Sequence, residues 1–213
     1  MKVIATLGDY YHDESFYKEA LSQATSGMED IDLVYATREN LIDKLRDKPD
    51  LVILASENRL NPNEGDVRKW LTKKDELEII NYVNDGGSWF AWHSGLASYE
   101  GNSSYIGMLG GYFTHHPDQH VNVRYQFNEK HELSNGKESF EIMDEHYFIE
   151  SNEEISIFLN SISEYGESVA GWTKRYGEGR VCGYSPAHNK DGLLNAAVQA
   201  DLKDIIKWLV KIK

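Results

Sequence analysis

The stretch Gly86-Gly87-Ser88-Trp89-Phe90-Ala91-Trp92-His93-Ser94-Gly95-Leu96-Ala97-Ser98-Tyr99 (86–99) decides the fold. Ser88 to Trp92 is an apolar run without polar alternation, the pattern of a strand buried on both faces of a parallel sheet. The two glycines before it end a helix marked by Leu77, Ile80 and Val83. His93-Ser94-Gly95 after it reads as a tight turn from the strand's carboxyl end into a helical segment.

Working back toward the start, the same unit recurs. Short apolar runs at Lys2 to Leu7, Ile31 to Ala36 and Asp50 to Ala55 alternate with helical patterns over Glu14 to Gln23 and Arg38 to Arg46. Strands and helices alternating at this spacing predict right-handed βαβ units and an α/β, doubly wound, mostly parallel sheet of the flavodoxin-like kind, with helices on both faces. After Gly111 the pattern changes. Val121 to Phe127, Phe140 to Ile142, Ile155 to Leu159, Val169 to Tyr176 and Gly179 to Tyr184 read as strands, and the Tyr176-Gly177-Glu178-Gly179 turn predicts an antiparallel hairpin in this C-terminal extension. Ala196 to Val210 closes the chain as an amphipathic helix. No repeat or linker divides residues 1–213, so a single domain is expected.

Composition narrows the function classes. The 213 residues carry 22 basic and 35 acidic side chains, a net charge of −13 that repels phosphate backbones and anionic membranes. Nucleic acid and membrane partners are therefore not expected. The single cysteine, Cys182, permits no intrachain disulfide and no thiolate cluster, which fits a cytoplasmic address.

In open α/β sheets, ligands bind at the carboxyl ends of strands. That rule selects the loops Gly8 to Asp13 and His93 to Tyr99, then Tyr112 to Pro117, Met143 to Tyr147 and Tyr184 to Asn189. Asp13 precedes a helix and is a ready N-cap, so it has a structural reading beside a functional one. Asp144 and Glu145 are adjacent, so an extended backbone sends at most one of them into a crevice. Trp92, next to the turn, is the tryptophan best placed to stack on a sugar ring; the others read as packing residues. Cys182, within an apolar strand, reads as an inert buried thiol.

Taken in order, His12-Asp13, GGSWFAWHSGLASY, GYFTHHP, DEHY at 144–147 and YGEGRVCGYSPAHN resemble the ThuA-like (trehalose utilisation) family. The resemblance runs from the first strand to about Asn189. It implies the class I glutamine amidotransferase-like fold and a carbohydrate-like ligand, without identifying the reaction. In the amidotransferase parent the turn displays a cysteine, and here His93 stands in its place. The late His188-Asn189-Lys190 lacks the parent's carboxylate partner, so the Cys-His-Glu triad is not expected. Ser94 could act as a nucleophile with His93 or His188 as base, although neighbours on such a turn usually diverge. The family pattern favours His116 over His115 and Glu145 over Asp144; His146 stands where the family usually has an aromatic residue, and Tyr147 reads as core.

The expected site is a crevice in which His93 and Glu145 move protons and His12, Asp13, Trp92, Ser94, His116 and His188 bind a small sugar-like substrate. A non-catalytic sugar-binding or regulatory domain is the rival reading. Imidazoles and a carboxylate in one crevice would also suit a divalent metal such as zinc, but no His-x-x-x-His on a helix announces it, so a metal set depends on tertiary convergence. Self-association into a homo-oligomer is left open.

Overall fold

In a computed structural model, residues 1–152 and 154–211 are described; position 153 and the last two residues of the expected domain lie outside that description. A nine-stranded mixed sheet is built from β1 (Lys2–Leu7), β2 (Asp32–Tyr35), β3 (Leu51–Ala55), β4 (Ser88–Trp92), β6 (Val121–Phe127), β7 (Phe140–Asp144), β9 (Ser156–Ser163), β10 (Gly166–Tyr176) and β11 (Gly179–Tyr184), in the order β2-β1-β3-β4-β11-β10-β9-β6-β7. The first five strands of that order are parallel and the rest antiparallel. β5 (Gly111–His115) and β8 (Phe148–Ser151) pair separately as a two-stranded ribbon.

Side-chain alternation explains why the parallel strands read as unbroken apolar runs. Val3, Ala5, Leu7, Ile53, Phe90 and Trp92 pack into one core with residues of α1 (Glu14–Thr25) and α6 (Ala196–Leu209). Ile4, Val52, Leu54, Trp89 and Ala91 face the other way, into a second core with α2 (Leu41–Leu45), α3 (Lys73–Asn84) and α4 (Ser104–Leu109). Helices thus cover both faces of the parallel half, which is why its strands are apolar at most positions.

Some boundaries differ from the sequence reading. Of the residues expected on the buried face of α3, Val83 is in the core, but Leu77 is 57% exposed and Ile79 is buried in its place. Neither the ribbon β5/β8 nor α4 is expected from the pattern, because the ribbon strands carry a histidine, a threonine and a glutamate, and α4 is six residues long with a glycine in it. The hairpin expected at Tyr176 to Gly179 is present, with Gly177 at φ 55° joining β10 to β11.

Candidate functional site

Three of the sheet's parallel strands deliver a histidine from their carboxyl ends. His12 lies in the loop between β1 and α1, His93 directly follows β4, and His188 follows β11. Glu145 joins them from the connection between β7 and β8. One ligand atom from each of these four residues lies within 4.8 Å of all the others. The cluster sits beside the point where the chain, having placed β2 on one side of β1, places β3 on the other, the position where such sheets bind ligands.

The turn that presents His93 is strained and tightly packed. His93 has φ 45°, a left-handed conformation costly for a residue with a side chain. Gly95, two positions on, presses on β3 so closely that a Cβ there would collide with the Leu54 carbonyl. Beneath the turn, Trp92 is fully buried, packs edge-on to Tyr17 at 4.8 Å between centroids, and donates its indole N–H to the Pro186 carbonyl at 2.7 Å. Its ring has no exposed face for a sugar. It braces the turn and the loop before His188.

Two of the three imidazoles are oriented by a partner on the far nitrogen. His12 Nδ1 is 2.6 Å from Asp9 Oδ1, and His93 Nδ1 is 2.6 Å from the Ser185 carbonyl. A carbonyl can only accept, so His93 carries its proton on Nδ1 and turns the Nε2 lone pair inward. Nε2 of His12, Nε2 of His93 and Nδ1 of His188 are buried and have no hydrogen-bond partner. Glu145 Oε2 lies 3.1 Å from His188 Nδ1, off the line of a hydrogen bond, and 3.6 Å from His93 Nε2. Burial without a partner costs about 1–3 kcal/mol for each polar atom, so three such nitrogens aimed at one carboxylate mark a place built for an occupant.

The electrostatics agree. Burial pushes His93 down to about 4, so it is a neutral imidazole at physiological pH. Burial would raise Glu145, but His188 and His93 beside it outweigh that and hold it well below the usual carboxylate range. For His188, burial works downward, and the Glu145 carboxylate with Asp144 and Asp9 reverses it into a net rise. Asp9 is desolvated as well, yet its contacts with His12, the Glu57 backbone and Ser94 bring it to about 2. A donor set of three imidazole nitrogens and an ionised carboxylate, with a carboxylate behind His12 and a carbonyl behind His93, suits a divalent cation of the zinc type.

Asp144, adjacent to Glu145, faces the opposite way. It is fully buried and accepts from the Tyr125 hydroxyl and the His188 backbone N–H, both at 2.8 Å. Burial lifts it from 3.8 to about 7. Because the folded chain holds this proton more tightly than the unfolded chain, the stability it contributes is full below 3.8 and is lost as pH rises through about 7. In chemical denaturation of metal-free protein, Asp144→Asn should therefore gain on the parent as pH rises across that window; parallel pH profiles would refute this.

The remaining expected residues divide. His116 stands at the mouth, its Nε2 3.9 Å from Glu145 Oε1. Ser94 is buried beside the cluster, and Asp9 feels its hydroxyl. Asp13 is exposed, its side chain capping α1 through the Ser15 backbone N–H at 2.8 Å, and it is not part of the cluster. His146 is fully buried and bonds Ser163 Oγ at 2.7 Å and Ser161 Oγ at 3.0 Å, so it fastens the β8 entrance to β9. Tyr147 is buried, with its ring stacked on His93 at 4.3 Å. Cys182 is in the core and its thiol is pushed up by burial.

Sequence reasoning misses Asp9 and His120. His120 Nε2 is 3.7 Å from Glu145 Oε1, across from His116. The signals existed: Asp9 stands three residues before His12 in a loop, and His120 stands four after His116 across Pro117. Asp9 positions the His12 ring; if the cluster holds zinc, Asp9→Asn is expected to weaken that affinity by about 10–100-fold in titration while leaving the circular dichroism unchanged.

The chain matches the profile of the ThuA, trehalose utilisation, family over residues 6–209. It belongs to that family. No curated protein matches the sequence. Among solved structures, the fold is similar to a ThuA-like protein from Parabacteroides merdae, with TM-score 0.79 at 13% identity, covering 100% of this chain and 91% of that one. A ThuA-like protein from Bacteroides uniformis gives 0.74 at 17% identity, covering 100% and 92%. A cytoplasmic protein from Salmonella typhimurium gives 0.70 at 12% identity, covering 98% and 99%. Membership of the ThuA family supports a carbohydrate-related role. Among the described residues no helix is long and apolar enough to cross a membrane.

Proposed function

We propose that His12, His93, His188 and Glu145 hold a divalent cation of the zinc type, and that a small sugar-like substrate binds at this centre. The observation that carries the reading is the set of three partnerless, buried imidazole nitrogens gathered with Glu145 within 4.8 Å. A divalent ion there would polarise a substrate hydroxyl or carbonyl as a Lewis acid. In this reading His93 serves as a ligand rather than a base. The rim histidines His116 and His120, near Glu145 Oε1, would receive substrate hydroxyls and exchange protons with them. With Cys182 in the core and histidine at the turn, thiol chemistry of the amidotransferase kind has no support.

The 3.1 Å approach of His188 to Glu145 favours a second reading, an ion-free acid–base pair. A sugar binder without turnover is the third. Zinc-loaded and metal-free protein incubated with a panel of sugars separates the three. Consumption of a sugar only when zinc is present supports the metal centre, consumption without zinc supports the ion-free pair, and saturable thermal stabilisation without consumption supports a binder.

The finer assignments rest on the same reading. Helices on both faces of the parallel half support a doubly wound, flavodoxin-like sheet, and a family match spanning residues 6–209 supports one domain over residues 1–213. A cytoplasmic address draws support from the lone cysteine and from the Salmonella protein's description.

A further inference from the structure

Glu145 turns its two oxygens toward different pairs of imidazoles. Oε2 faces His188 Nδ1 at 3.1 Å and His93 Nε2 at 3.6 Å, inside the central cluster. Oε1 faces outward, with His120 Nε2 at 3.7 Å and His116 Nε2 at 3.9 Å. Both outer distances are too long for a hydrogen bond. Two ligands that each lie about 2.0–2.2 Å from one ion stand about 3–4 Å apart, so the outer spacing is that of atoms on either side of a cation.

The orientation of the rings agrees. His116 Nδ1 is 2.7 Å from the Pro117 carbonyl. As at His93, the carbonyl can only accept, so the proton lies on Nδ1 and the Nε2 lone pair is turned toward Glu145 Oε1. Against the burial that would raise it, His188 and His93 keep that carboxylate ionised. A lone pair therefore meets a negative oxygen with no proton between them, an arrangement that repels until a cation enters it. His120, on the other side of Pro117, sets its ring edge-on to His188 at 5.1 Å between centroids, so the outer pair adjoins the inner set. The two sets differ in completeness. His12, His93, His188 and Glu145 supply the four ligands of a closed tetrahedral site, whereas His116, His120 and Glu145 Oε1 supply three and leave a position open. They also differ in exposure: the side chains of His116 and His120 are 35% and 40% exposed, and that of His93 is fully buried.

Resting on the central-ion reading above, we propose that Glu145 Oε1, His116 and His120 form a second, weaker site for a divalent cation, with Glu145 bridging the two ions. A carboxylate that gives one oxygen to each ion holds the pair about 3.5–4 Å apart, the spacing of two-metal sites. When filled, the outer ion takes over, at its open position, the substrate hydroxyl that the rim histidines meet in singly loaded protein.

Calorimetric titration of metal-free protein with zinc tests it. The parent should take up two ions per chain, the second about a hundredfold or more weaker than the first, since it has one ligand fewer and two of its three stand in solvent. His116→Ala and His120→Ala should each weaken the second ion by about tenfold or more and leave the first within about twofold. His115→Ala should leave both ions in place, because that ring bonds the Thr114 hydroxyl instead of facing Glu145. A parent that stops at one ion overturns the second site and leaves the central ion standing. A second ion held equally well by both rim variants overturns it too, and marks adventitious binding elsewhere on the surface. A parent that takes up no ion removes the central reading and this proposal with it.

Discussion

His93→Ala protein is expected to bind zinc about a hundredfold more weakly than the parent. Zinc held by four protein ligands is stabilised by about 10–16 kcal/mol in small zinc modules, or about 3 kcal/mol per ligand, and each 1.4 kcal/mol is a factor of ten. The pre-organisation of His93 makes the loss at least that large. Its Nδ1 is bound to Ser185, its ring is covered by Tyr147, and its backbone is held at φ 45° by the packed turn, so the lone pair is aimed before any ion arrives. The neutral state that burial imposes on it means no proton must leave before an ion binds. Competition titration against a chromophoric chelator reads the affinity directly. Parent-like affinity in His93→Ala would mean that the ion, if any, is held elsewhere.

Trp92→Ala is expected to cost about 3–5 kcal/mol of stability, the range for truncating a buried tryptophan, and to lower the melting temperature on the order of 10 °C for a chain of this size. The loss has several sources: a fully buried indole, its contact with Tyr17, and the hydrogen bond to Pro186 that anchors the loop leading to His188. Because that loop also supplies the Ser185 carbonyl that orients His93, zinc affinity should fall along with stability. Trp92→Phe keeps most of the packing and loses the hydrogen bond, so its loss should be smaller in differential scanning calorimetry. A sugar-stacking Trp92 would instead leave stability nearly intact and weaken only ligand binding.

The parallel half of the fold was legible because β1, β3 and β4 bury both faces, which forces unbroken apolar runs that no loop would carry. The ribbon of β5 and β8 was not legible, because it faces a crevice on one side and is written in histidine, threonine and glutamate. The site divides in the same way. His12, His93 and His188 stand on strand-end loops that the sheet rule selects by itself. Glu145 reaches the cluster from the antiparallel half, and nothing in its local spacing announces that; only the resemblance singled it out from Asp144. Asp9 acts through His12, three residues on, and His120 reaches Glu145 from an irregular loop, where no periodicity exists to reveal a shared face. Trp92 shows the opposite failure. Its neighbour projects into the crevice, and strand alternation turns Trp92 itself into the core.

Titration of metal-free parent protein with zinc, followed by elemental analysis after dialysis, tests the central claim most directly. The expected result is one tightly held ion per chain, lost in His188→Ala protein. A parent protein that retains no zinc, cobalt or manganese under conditions where it is folded would contradict the account and leave the cluster as an acid–base site without an ion.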